Sequence, residues 1–206
     1  MRTDRVPAAI LALSLAATAG ATTYSTDIAG NIPDNDAVGF LSPIAVQDSF
    51  PITSIKVTIR GLQHNYSSDL TITLKHAGVS SETILVSNLN SGEDADFDGD
   101  YAFADSGASL SAVAGPICCT DNIPSGTYTA TISLDAKYIG ENAHGAWVLR
   151  IYDDDFLVAG SFASWEIELG GGPDCPPGFD GDVNHDNIVN VDDLNIILGN
   201  WGRQCQ

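Results

Sequence analysis

The sequence predicts a mainly β fold, an antiparallel sandwich followed by a small C-terminal module. Three observations carry that prediction. Apolar and polar residues alternate with a period of two in four separate segments. Turn signals rich in Gly, Asn and Pro stand between the segments. No helical period intervenes over residues 22–169, which disfavours alternating strands and helices.

The elements follow in chain order. ITSIKVTI sets Ile55, Val57 and Ile59 against polar neighbours, and DLTITLK does the same with Leu70, Ile72 and Leu74. ETILV (82–86) and TYTATI (127–132) read as strands of weaker alternation. WVLRI presents Trp147, Leu149 and Ile151 on one face, and FASWEIEL presents Ala163, Trp165, Ile167 and Leu169. Both tryptophans are in phase with the apolar residues of their strands, so they are expected in the core. Turns are expected at Ala77-Gly78, Asn90-Ser91-Gly92, Pro124-Ser125-Gly126 and Ala143-His144-Gly145. Residues 93–105, EDADFDGDYAFAD, read as an acidic loop in which Asp96, Asp98 and Asp100 alternate.

Residues 1–21 read as a secretory signal peptide. Arg2 and Arg5 form a basic start, Ala8 to Ala17 is almost wholly apolar, and Ala19-Gly20-Ala21 is a small-residue cleavage signal. The run is too short to span a bilayer, and no later run is longer, so a soluble product that does not span a membrane is expected. Its location is extracytoplasmic, secreted or in the cell envelope. Residues 170–181, GGGPDCPPGFDG, read as a linker. That leaves a β domain at 22–169 and a small module at 182–206.

The formal charge is −19, and losing Arg2, Asp4 and Arg5 with the leader makes it −20. Such a surface repels phosphate backbones, so nucleic acid is not an expected partner. The four cysteines are Cys118, Cys119, Cys175 and Cys205. In an exported chain they are expected to form disulfides, and four cysteines allow three pairings. Cys175 and Cys205 bracket the C-terminal module and can close a ring around it, worth about 3–4 kcal/mol on the chain-entropy model. A bond between the neighbours Cys118 and Cys119 would be strained, so free thiols or a crossed pairing remain open for them.

Two stretches go beyond pattern: HNYSSDLTITL, residues 64–74, and ENAHGAWVLRIYDDDFLVAGSFASWEIEL, residues 141–169. Their landmarks in order are His64, Asp69-Leu70, Asn142, Gly145, Trp147, Leu149, Asp153, Gly160 and Trp165. In this they resemble the P domain (P/Homo B), the module found behind the subtilisin-like catalytic domain of proprotein convertases and in many secreted bacterial proteins. The resemblance spans most of residues 40–169. It implies a jelly-roll sandwich of galactose-binding-like type, non-catalytic in itself, and an association with serine-type endopeptidases. It also implies that calcium can sit in the acidic loops, which makes Asp96, Asp98, Asp100 and Asp153 candidate ligands; a solvated acidic loop without metal is the other reading of the same residues. His64 and Asp69 are close enough in the chain for a strand-start hydrogen bond, a structural role.

No catalytic residues are assigned. The sequence holds no Gly-x-Ser-x-Gly and no subtilisin-type serine motif. Serines near a histidine and an aspartate do not make a triad without the geometry.

The segment GDVNHDNIVNVDDLNIILGNWG, residues 181–202, has the spacing of a calcium loop. With Asp182 at position 1, Asn184 is 3, Asp186 is 5, the Ile188 carbonyl is 7, Asn190 is 9 and Asp193 is 12. Position 6 is Asn187 in place of glycine; asparagine is the next residue able to adopt the left-handed turn. Position 12 is Asp193 in place of glutamate, a shorter arm that argues against sensor-grade affinity. Leu194, Ile197, Leu198 and Trp201 then form a helical stripe, closed by Gly202. Closed by Asp-Leu, the loop resembles a type I dockerin repeat. A dockerin that docks on a cohesin has two repeats, and only one is present here. An acidic helix cap without metal is the other reading of the same residues.

Taken together, the sequence predicts a secreted, non-catalytic, calcium-binding interaction or adhesion protein. Its expected partner is a protein: a cohesin-like scaffold, an envelope component or a separate protease. The alternatives are an accessory to a subtilisin-like endopeptidase and a carbohydrate-binding module.

Overall fold

The computed structural model describes residues 20–87, 89, 95–117, 121–171 and 191–201, with the side chain of residue 192 left aside. The strands are β1 (Ala21–Thr26), β2 (Gly30–Ile32), β3 (Asp36–Val46), β4 (Ser54–His64), β5 (Leu70–His76), β6 (Thr83–Ser87), β7 (Asp96–Ser109), β8 (Asn122–Ile123), β9 (Gly126–Thr129), β10 (Gly145–Asp153), β11 (Gly160–Phe162) and β12 (Ser164–Gly170). The helices are α1 (Leu110–Ala114), α2 (Leu134–Tyr138) and α3 (Val191–Gly199). No helix among the described residues is long and apolar enough to cross a membrane.

The fold is mainly β, two sheets in a sandwich-like arrangement, as the alternation predicts. One sheet has the order β3-β10-β5-β6, all antiparallel. The other centres on β4. On one side β4 pairs β12 and β11, which carry β1 and β2 on their far edges; on the other it pairs β7. β8 and β9 then add to β7 in parallel.

The inward series of both sheets meet in one core. Ile55, Val57, Ile59, Trp165, Ile167 and Leu169 come from one sheet, and Leu70, Ile72, Leu74, Trp147, Leu149 and Ile151 from the other; all are buried. Trp165 ties the layers directly, its Nε1–H donating to Ser42 Oγ of β3 at 2.9 Å.

In β4 the inward positions switch from odd numbers (55, 57, 59) to even ones (62, 64). The register slips there, between Ile59 and Leu62. Gly61 sits at the slip with φ +59°, and its N–H donates to Asp100 Oδ1 at 2.8 Å. A left-handed glycine at an extra residue is a β-bulge. It turns Leu62 and His64 into the core.

Three readings of the sequence need correction. Residues 96–109 are a strand, not a loop: Phe97, Tyr101 and Phe103 point inward, and burying three aromatics outweighs the poor strand propensity of Asp and Gly. The expected strand at 127–132 stops at Thr129. Two one-turn helices intervene, α1 and α2, capped by Ser109 and Ser133, whose hydroxyls accept from the N–H groups of Ala112 and Ala136. They are too short to show a helical period.

His76 ends β5 against Trp147, ring on ring at 4.2 Å, and is buried. Nε2–H donates to the His144 carbonyl at 3.2 Å. Burial, the largest cause, holds its pKa below the ordinary histidine value. The unfolded chain takes up that proton near pH 6.5 and the folded chain resists it. The contribution of neutral His76 is therefore full above about pH 6.5 and is lost as pH falls through the folded value. Melting temperature is expected to fall between pH 7 and pH 5, and to fall less in His76→Phe. An equal fall in both proteins would remove His76 as the cause.

Candidate functional site at one end of the sandwich

The strand registers bring a set of loops to one end of the molecule. β10 ends at Asp153, opposite Leu70 at the start of β5 and Asp36 at the start of β3. β4 ends at His64, opposite Phe97 near the start of β7, and Asn122 of β8 lies beside Asp96. β11 starts there at Gly160. Residues 33–35, 65–69 and 154–159 are the connections at this end.

Beneath them lies a buried pair. Trp147, Leu149, Ile151 and Asp153 form one inward series, so the last member places a carboxylate in the core at 1% exposure. Leu62 and His64 form another. The two series deliver His64 Nε2 to Asp153 Oδ2 at 3.1 Å, while His64 Nδ1 lies 3.1 Å from the Tyr66 carbonyl. Both ring nitrogens are thus occupied within the fold. Gly160 packs against the ring: a Cβ there would come within 2.6 Å of His64 Cδ2. The expected His64–Asp69 bond is thus replaced by His64–Asp153. Chain proximity suggests Asp69, but Asp69 accepts from the hydroxyl of Ser68 at 2.8 Å instead. Burial, with the nearby charges of Asp153 and Asp155 adding to it, holds the Asp69 pKa above the usual carboxylate value. Neither nitrogen of His64 is left for a serine hydroxyl, so this histidine is not the base of a triad.

The pair fixes the loops above it. Asp153 Oδ1 accepts from the Asp155 N–H at 3.0 Å, and the Asp154 N–H donates to the Asp69 carbonyl at 3.2 Å. The Tyr66 N–H donates to Asp96 Oδ1 at 3.3 Å. Between the loops opens a polar cleft of about 500 Å³, lined by Gln63, Asn65, Asp96, Asp98, Asn122 and Ser161 among others. Gln63 Nε2 and Asn122 Nδ2 each donate to Asp98 at 3.3 Å. Behind Asp98, the buried Tyr101, its pKa pushed up to about 12 by burial, accepts from the Asp98 N–H at 3.1 Å and donates to the Ile123 carbonyl at 2.7 Å.

Backbone strain collects at the same end. The non-glycine residues with positive φ among the described residues are Asn35 (48°), Tyr66 (92°) and Leu157 (98°), and all lie in these loops. Asparagine tolerates that region; tyrosine and leucine there are outliers costing on the order of 1–3 kcal/mol each. Phe156 and Leu157 are moreover 67% and 90% exposed.

The candidate calcium ligands fall into two groups. Asp96, Asp98 and Asp100 lie along one edge of β7, so alternate residues are spread by about 6–7 Å per step. Asp100 accepts from Gly61 N–H and pairs with Arg60 at 3.5 Å; Asp153 pairs with His64. Among the described residues no three His, Cys, Asp or Glu side chains are gathered as a metal would need. In the C-terminal module, Asp182, Asn184, Asp186, Ile188 and Asn190 lie outside the described residues, as do Cys118, Cys119, Cys175 and Cys205. Asp193 is described, on the first turn of α3, and is 1% exposed. The apolar residues of that helix are not buried: Leu194 is 49% and Leu198 57% exposed, with Trp201 beyond the helix end at 79%.

No family model matches the chain, and no curated protein matches it. The solved structures similar to it include two from Aeromonas sobria. One is the serine protease of Aeromonas sobria in complex with the chaperone ORF2, at 18% identity and a TM-score of 0.46, over 73% of this chain and 26% of that chain. The other is the serine protease of Aeromonas sobria, at 19% identity and a TM-score of 0.44, with the same coverage. The chain spans about a quarter of the length of these proteins.

Proposed function

We propose that the protein is a secreted, non-catalytic binding protein, in which the P-domain-like sandwich is the binding module and residues 182–206 form a dockerin-like, calcium-ordered attachment module. The observation that carries the reading is Asp193. On a helix with its leucines in solvent, the carboxylate is the buried group. Position 12 of a calcium loop is where an inward carboxylate belongs. The donor set fits a hard cation: Asp182, Asn184, Asp186, the Ile188 carbonyl, Asn190 and Asp193 offer oxygens only. These residues would hold the ion, and calcium would neutralise the loop and set the start of α3. Attachment would then be linked to calcium.

Calorimetric titration of calcium into the full secreted chain tests the proposal. One site is expected, weaker than the ~10 µM edge of the sensor range. Asp186→Asn is expected to weaken it at least about tenfold by removing a charged ligand. No heat up to several millimolar ion, on the order of the weakest such sites, would defeat the assignment.

A further inference from the structure

We propose that the loop end of the sandwich is a docking surface for a basic peptide segment that also carries apolar side chains. The inference rests on reading the sandwich as a binding module and adds what it binds. Three features, independent of the C-terminal module, point to it.

The first is the cleft, which is polar and open, with Asp96 and Asp98 on its wall. Asp98 accepts from the Gln63 and Asn122 amides and so is held in place. A carboxylate has about four acceptor sites, so an incoming ammonium or guanidinium can be bound as well.

The second is the one-sided charge. Asp69, Asp96, Asp98, Asp121, Asp154 and Asp155 all lie at this end. Among the described residues, no lysine or arginine lies in the loops or strand ends that form it. Arg60 is engaged with Glu166 and Asp100, and Arg150 with Glu82 and the carbonyls of Ala37 and Val38. The field of this end therefore favours a cationic partner.

The third is the tip Phe156-Leu157, three residues or fewer from Ala159 and so within about 10 Å of the cleft wall. An exposed Phe and Leu, one of them at φ 98°, cost the free chain both strain and apolar exposure. A partner that covers the tip offsets the exposure. Tyr66, 38% exposed and next to Asn65 of the wall, extends the same apolar rim. The occupant is thus a segment that places a Lys or Arg in the cleft and an apolar side chain against the tip.

The test uses fluorescence anisotropy with the full secreted chain in EDTA, so the calcium module makes no contribution. The probes are labelled nonapeptides: one alternating lysine and leucine, one with glutamate for each lysine, one with serine for each leucine. Binding is expected for the first alone, weakening as salt rises. Asp98→Asn and Phe156→Ser should each weaken it about tenfold, the scale of an interface anchor. Glu168→Gln, on β12 and outside this end, should leave it unchanged, and unaltered melting curves for all three variants establish folding. Equal binding of the lysine and glutamate peptides, or indifference to Asp98→Asn and Phe156→Ser, overturns the proposal. In a parallel titration without EDTA, calcium competing with the peptide in a manner abolished by Asp98→Asn also overturns it, since the cleft would then be a metal site. Failure here leaves the calcium titration of the C-terminal module untouched, and the reverse also holds.

Discussion

Asp153→Ala is expected to destabilise the protein by about 3–5 kcal/mol, because it removes one partner of a buried hydrogen-bonded pair and leaves the other without its partner. His64 would keep its contact with the Tyr66 carbonyl but lose the carboxylate at 3.1 Å. The loop loses in addition, since the Asp155 N–H no longer has Asp153 Oδ1 to donate to. In a chain of this size such a loss lowers the melting temperature by about 10–15 °C. Urea denaturation with an unchanged m-value would place the effect in the folded state. Asp153→Asn keeps the shape and an oxygen toward the ring, so it should cost less. Replacing both partners by apolar residues should recover part of the loss, because no orphan remains. A loss under about 1 kcal/mol for Asp153→Ala would mean that water replaces the carboxylate and that the pair does not hold the loops.

Trp165→Ala is expected to cost about 3–5 kcal/mol by a different route, a cavity between the sheets. Trp165 is fully buried, and its indole N–H reaches across to Ser42. Trp165→Phe separates the two contributions. It keeps most of the apolar volume but strands the Ser42 hydroxyl, which is 2% exposed, for about 1–3 kcal/mol. Adding Ser42→Ala to Trp165→Phe should then restore stability, by double-mutant analysis of urea curves. If the Phe variant already matches the Ala variant, the cross-sheet hydrogen bond, and not the volume, dominates.

The sandwich is legible in the sequence wherever one face of a strand is buried. Ile55, Val57 and Ile59, or Trp147, Leu149 and Ile151, follow period two because every second side chain must leave water. The buried pair is legible too, but only if the series are carried one step further. Asp153 continues the odd-numbered series of β10, and His64 follows Leu62 after the bulge at Gly61. Reading His64 with Asp69 follows chain distance where strand phase decides. The strand at 96–109 is hidden by its Asp and Gly content, although Phe97, Tyr101 and Phe103 keep the phase. The parallel addition of β8 and β9 to β7 has no local signal, because parallel pairing joins segments far apart in the chain. The cleft depends on that addition, since Asn122 of β8 supplies part of its wall. The strained tip at Leu157 is likewise unreadable from composition: leucine is not a residue that marks a left-handed turn.

The most direct measurement of the proposed function is the calcium content of the full chain after equilibrium dialysis against millimolar calcium, read by atomic emission. One ion per chain is expected, falling towards zero in Asp182→Asn/Asp186→Asn and unchanged in Asp98→Asn. Metal-free protein in excess calcium, or an ion lost with Asp98 and not with Asp186, would contradict the assignment of the site to residues 182–193.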